Sequence, residues 1–204
     1  MVRSIQRCEV NARNTDPTPL ATGQLVVLRD QITSDVDAFL HWRTYGEWRL
    51  WDAPWEGGSD ALTSKEELEY RERFVSRLED EVPSPRQRAV ITTRVGKPLG
   101  WVSRYGGKDN PLVWFVGIDI GEDDYLNRGY GTEALKLWVN YLFANSEYHK
   151  LCLDTWSFNP RMMRVAEKIG FIPEGFQRHM QFWQGEWLDL IHYGMLREEC
   201  EAKR

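Results

Sequence analysis

The chain has 204 residues, 26 Lys plus Arg against 31 Asp plus Glu, and a net charge of -5. That length suits one domain able to bury a core without disulfide or metal support, and the acidic balance argues against a nucleic-acid partner while suiting a cationic one. Cys8, Cys152 and Cys200 are odd in number and far apart, which argues against a disulfide framework or a zinc site and points to a reducing cytoplasm.

Residues 1–23 carry Arg3, Arg7 and Arg13 among polar residues and lack the apolar stretch of a signal peptide. They read as a flexible N-terminal arm ahead of a single domain over 24–204. No run approaches the ~20 apolar residues of a membrane span, so no membrane partner is expected. Leu25 to Arg29 reads as the first strand. Thr33 or Ser34 then caps a helix to about Thr44, with Val36, Phe39 and Leu40 on one face. A loop rich in Gly, Pro and Trp follows, into which Trp48, Trp51 and Trp55 crowd. Ser64-Lys65-Glu66-Glu67 has capping-box spacing and opens a second helix to about Leu78, with the stripe Leu68, Phe74, Val75 and Leu78. Ala89 to Val95 and Leu99 to Tyr105 flank Gly96-Lys97-Pro98, the pattern of an antiparallel hairpin, and Val113 to Ile120 forms the next strand.

The most informative stretch comes next: Leu126-Asn127-Arg128-Gly129-Tyr130-Gly131, then Thr132 and an amphipathic run to about Asn145. Two glycines separated by one residue leave backbone N–H groups open to an anion, and the helix N-terminus behind them adds roughly half a positive charge. In the helix, Leu135, Val139, Leu142 and Phe143 recur at helical spacing. Leu151 to Trp156 is a strand, Pro160 opens a helix that Gly170 ends, and two last strands cover Phe171 to Arg178 and Leu188 to Leu196. The two strands bridged by the cradle helix should run parallel through a right-handed crossover. A dinucleotide site is disfavoured, because its third glycine and the acidic residue about twenty positions on are not in place.

These motifs resemble the GNAT superfamily of acyl-CoA N-acetyltransferases, in particular its Rim-type branch of ribosomal-protein and small-amine acetyltransferases. Arg128 to Leu135 resembles the family's pyrophosphate loop and helix, and Asn159-Pro160-Arg161 through Gly170-Phe171 resembles the motif that follows. The resemblance implies a mixed α/β fold with a splayed, mostly antiparallel sheet and helices on both faces. The strands ending near Ile120 and Trp156 would separate to admit a pantetheine arm. It further implies acetyl-CoA as cosubstrate and no metal. Ile120 and Gly121 would pair with pantetheine amides, Gly129, Tyr130, Gly131 and Thr132 would hold the pyrophosphate with help from Arg128, and the Asn159 amide would touch the pantetheine arm. The chain departs from many relatives at Leu126, where they carry Gln or Arg, at Ala166, where they carry a tyrosine that protonates the leaving thiolate, at Met162 and Met163, where others carry serine, and at Phe115, where they carry Glu.

Amide formation from a thioester needs a neutral amine and a proton acceptor. Asp119 is the first choice of base and Asp154 the second; both positions resemble acidic residues of aminoglycoside 6'-N-acetyltransferases. Asp119 shares a strand face with Phe115 and Gly117, so the family's carboxylate has moved along the strand. Trp51, Trp55 and Asp189 are candidates for the acceptor, with Glu47, Asp52 and Glu56 as an acidic rim; the other readings are a packed lid with its charges in solvent for the Trp segment and a loop anchor for Asp189, and His192 is assigned to packing. The expected activity is direct acetyl transfer to a primary amine, either a protein N-terminus or a small cationic amine. The alternatives are an aminoglycoside-type acetyltransferase and a non-catalytic acyl-CoA-binding protein, and a homodimer is left open.

Overall fold

A computed structural model describes residues 17–56 and 62–202. Eight strands form one sheet: β1 (Pro19–Thr22), β2 (Val26–Arg29), β3 (Arg88–Thr93), β4 (Pro98–Gly106), β5 (Val113–Ile120), β6 (Lys150–Trp156), β7 (Ile172–Trp183) and β8 (Glu186–Leu196). They lie in the order β1-β2-β3-β4-β5-β6-β8-β7. Only β5 and β6 are parallel; every other neighbouring pair is antiparallel. The helices are α1 (Val36–Thr44), α2 (Trp48–Trp51), α3 (Ser64–Arg77), α4 (Tyr130–Ala144), α5 (Pro160–Ile169) and α6 (Arg197–Glu201).

Strand alternation divides the apolar residues between two layers. On one face Val116, Leu151, Leu153 and Met195 pack against Leu135, Trp138, Val139 and Leu142 of α4 and Ala166 of α5. On the other, Val90 and Trp101 meet Val36, Phe39 and Trp42 of α1 and Phe74 of α3. Helices therefore cover both faces, as the resemblance implied. The α4 crossover joins β5 to β6, because parallel neighbours need a long connection.

Three details differ from the sequence reading. The last residues of the arm, Pro19 to Thr22, form β1 and pair with β2; Leu20 and Ala21 pack against the core, which gives a polar segment reason to order. The first part of that arm lies outside the described residues. The capping box of α3 sits one residue earlier than expected: Thr63 caps and Glu66 reciprocates, bonding the Thr63 N–H at 2.8 Å. Of the stripe expected on α3, Phe74 is buried, whereas Leu68 is 58% exposed. The helix lies against the sheet by a narrow seam.

Candidate active site

The parallel ladder between β5 and β6 is three residues long: Val113 with Lys150, Trp114 with Leu151 and Phe115 with Cys152. Beyond it the strands part. β5 continues to Ile120 paired only with β4, and β6 continues to Trp156 paired only with β8. The facing main-chain edges of 116–120 and 153–156 thus border a gap in the sheet. Pairing of a slender amide-bearing ligand to these edges is the hydrogen-bonding solution such a gap admits.

The glycine loop stands at one mouth of this gap. Gly129 has φ +89°, a conformation that a side chain at this position would strain, and it is the N-cap of α4 with no side-chain capping bond. The first-turn N–H groups of Tyr130, Gly131 and Thr132 have no intrahelical acceptor, the state in which a helix N-terminus receives an anion. A cleft of about 360 Å³ runs from this loop past Ile118, Asp119 and Ile120 to Trp51 and Asn159. Gly129, Gly131 and Thr132 line it. Arg128 is exposed beside the loop. Tyr130 turns its ring edge-on to Tyr125, 5.0 Å between centroids.

Two assignments to the pantetheine arm meet competing bonds. The Gly121 N–H already donates to the Leu99 carbonyl at 2.8 Å. A Cβ at Gly121 would come within 2.4 Å of the Trp42 ring, so glycine stands there for close packing. Asn159 is the N-cap of α5: its side-chain oxygen accepts from Met162 N–H at 3.0 Å and its amide donates to the Trp51 carbonyl at 3.2 Å. Asn159 therefore joins α5 to α2 at the cleft wall.

The carboxylates gather on the face of the sheet opposite α4. On β5, Phe115, Gly117 and Asp119 alternate with Val116, Ile118 and Ile120, which face the α4 core. On β6, Cys152, Asp154 and Trp156 alternate with the core residues Leu151 and Leu153. Asp119 and Asp154 consequently flank the gap from either strand. Burial pushes the Asp119 carboxyl well above the usual carboxylate range; the neighbouring charge of Asp52 adds to the rise and Arg88 opposes it. Asp52, just past α2, is itself pushed up by burial and then by Glu56. Tyr105 on β4 stacks on Phe115 at 5.6 Å between centroids. Its phenol is pushed up to about 12 by burial, then by Asp154, Asp52 and Asp119. The four acidic groups share one environment.

Aromatic residues wall this side. Trp51 stacks on Phe158 at 6.1 Å and lies under the Arg161 guanidinium at 4.8 Å. Trp55 sets its ring edge-on to Trp156 at 4.7 Å and meets Trp183 at 5.9 Å. Glu47 pairs with Arg161 at 2.8 Å, so it braces α5 instead of joining the acidic rim. Of the two roles open to Asp189, acceptor or loop, its bonds are those of the loop. Its carboxylate accepts the His179 N–H at 2.9 Å, where the β7 backbone bulges with φ +55°, and its main chain exchanges bonds with Ser157. A bulge leaves backbone donors unpaired, and Asp189 supplies the acceptor.

Residues 26–172 match the acetyltransferase (GNAT) domain. The chain belongs to the GNAT acetyltransferase family. Among curated proteins of Bacillus subtilis, this GNAT chain is 34% identical over 79 residues to the SPbeta prophage-derived uncharacterized N-acetyltransferase YokL, covering 39% of this chain and 45% of that protein. It is 27% identical over 81 residues to the putative ribosomal N-acetyltransferase YdaF, covering 40% and 44%. The chain spans about 45% of the length of YokL and 44% of YdaF. Among solved structures, spermidine N-acetyltransferase of Vibrio cholerae in complex with CoA and spermine superposes with a TM-score of 0.69 at 19% identity, covering 88% of this chain and 99% of that one. RimL, the ribosomal L7/L12 alpha-N-protein acetyltransferase in complex with coenzyme A, superposes with a TM-score of 0.67 at 14% identity, covering 88% and 98%. At these identities the superpositions establish the GNAT fold.

Proposed function

We propose that this GNAT protein transfers an acetyl group from acetyl-CoA to a primary amine by direct attack in a ternary complex. The observation that carries the reading is the sheet gap, which joins a loop of free main-chain N–H groups on one side to a set of carboxylates on the other. In this reading the N–H groups of Gly129, Tyr130, Gly131 and Thr132 hold the pyrophosphate, with the Arg128 guanidinium beside them. The open edges of β5 near Ile120 and of β6 take the pantetheine amides. The thioester then sits between Asp119 and Asp154.

Asp119 takes the first proton. A lysine-like ammonium has a pKa near ~10.4 and an N-terminal one near ~8, so the acceptor arrives largely charged and must be neutralised before attack. A carboxylate whose affinity for protons is raised by burial is the better base for that task. Asp52 favours a small cationic amine by charge, on the side that Trp51 and Trp55 wall. A protein of the family that only bound acyl-CoA would have no use for these carboxylates opposite the cradle.

The test is release of free CoA thiol when the protein is mixed with acetyl-CoA and spermine, kanamycin or a short peptide with a free N-terminus. Turnover well above hydrolysis with at least one of them is expected. Tight acetyl-CoA binding with no amine-dependent release would replace this reading by non-catalytic acyl-CoA binding.

A further inference from the structure

The resemblance implies that the leaving-group tyrosine of many relatives would stand at Ala166, which is fully buried in the α4 core. A second proton-handling group is nevertheless present on the acceptor face. His192 of β8 lies directly opposite Asp154 of β6 in the antiparallel register. Its Nδ1 is 2.8 Å from Asp154 Oδ1. With an ionised carboxylate at that distance, the neutral ring carries its hydrogen on Nδ1 and donates it to Asp154, leaving a lone pair on Nε2. That Nε2 atom is buried and has no hydrogen-bond partner among the described residues. Buried polar atoms are ordinarily paired, so an unpartnered nitrogen on β8, one strand from the gap and joined through Asp154 to its β6 border, marks a place where another molecule supplies the partner.

The surroundings bear on the same chemistry. Asp154 stands two residues past Cys152, the last β6 residue paired with β5, so the dyad begins where the gap begins. The titratable groups around it on this face are Asp154 and Cys152 of β6, Tyr105 of β4, Asp119 of β5 and Asp52 from the segment after α2, with the Lys150–Glu174 ion pair at the far end. Arg88 is a further cation, whose charge acts on Asp119.

We propose that His192, oriented by Asp154, is a second catalytic residue of the acetyl transfer proposed above, on which this inference rests. The acceptor nitrogen loses two protons in the reaction. Asp119 receives the first, before attack. As the N–C bond forms and the C–S bond breaks, His192 Nε2 takes the second from the adduct nitrogen and passes it to the departing sulfur, which leaves as the CoA thiol. Asp154 is then the positioning residue, fixing the tautomer and balancing the transient imidazolium charge.

The test uses the full chain and whichever amine of the panel is turned over best. His192→Gln should lower kcat about 10²-fold with acetyl-CoA affinity unchanged. His192→Ala should recover activity when imidazole is added to the assay. Asp154→Asn, which changes the hydrogen-bond partner of Nδ1, should lower kcat without blocking acetyl-CoA binding. Thermal melts establish that each variant is folded. Unchanged kcat in His192→Gln, or a loss in His192→Ala that imidazole does not rescue, would overturn the assignment while leaving acetyl transfer by the wild-type chain intact. An inactive wild type would instead overturn the proposed function.

Discussion

Glu133, in the first turn of α4, accepts the main-chain N–H of Leu25 at 2.7 Å across more than a hundred residues of chain. The same carboxylate accepts from Gln24 at 2.8 Å and from Val26 at 2.9 Å. The β1–β2 turn is thereby strapped to the helix that bears the glycine loop, and Leu25 is held against Gly129. Glu133→Ala removes three charge-assisted bonds and should lower stability by about 2–3 kcal/mol. Denaturant unfolding measures this, and calorimetry should find weaker acetyl-CoA binding in the same variant.

Gly131 and Gly129 make different demands. A Cβ at Gly131 would lie 3.5 Å from Ile120 and 3.8 Å from Ile118, ordinary contact distances. Gly131→Ala should therefore fold normally, whereas Gly131→Trp should fill the cleft and abolish acetyl-CoA binding by calorimetry. Gly129→Ala should cost about 1–2 kcal/mol of stability through its positive φ.

Asp119→Asn should lower kcat about 10²-fold with little change in acetyl-CoA affinity. Its effect on stability has the opposite sign. The folded-state pKa is raised, so the favourable contribution of this group is full below its unfolded value, about 4, and is lost as pH rises through the folded value. Asp119→Asn escapes that loss: it should melt higher than wild type near neutral pH and equal it below about pH 4. Asp52→Asn removes a charge that raises Asp119, so the acid limb of the rate profile should move to lower pH.

Asp35 is 1% exposed and meets the Arg29 guanidinium twice, at 2.6 and 2.7 Å, while also accepting the Ile32 N–H at 2.9 Å. Asp35→Ala leaves a buried guanidinium without its partner and should destabilise the chain by about 3–5 kcal/mol, read from the denaturation midpoint. Replacing both partners by apolar residues should recover much of the loss.

The order of elements was legible because each announces itself locally. Pro160 and Gly170 bracket α5, Gly96 turns β3 into β4, and the Gly129-Tyr130-Gly131 run marks the start of α4. The parting of β5 from β6 was implied by family resemblance and by no residue of either strand. What escaped the sequence depends on register and on distant loops. His192 reads as a packing residue until its cross-strand partner is known to be Asp154, and a single strand does not carry that register. Asp52 acts on Asp119 only because α2 folds back over the sheet. Glu133 looked like an ordinary acidic residue in a helix's first turn, since nothing in its neighbourhood names Gln24 to Val26 as its donors. Asp189 stayed open between acceptor and loop for the converse reason: the bulge whose N–H it accepts lies ten residues away.

With only three rungs joining β5 to β6, the two portions of the sheet are spliced at one end and open at the other. Whatever threads that opening completes the weave, so the donor molecule is at once reagent and rivet. Resistance to heat should climb with its concentration.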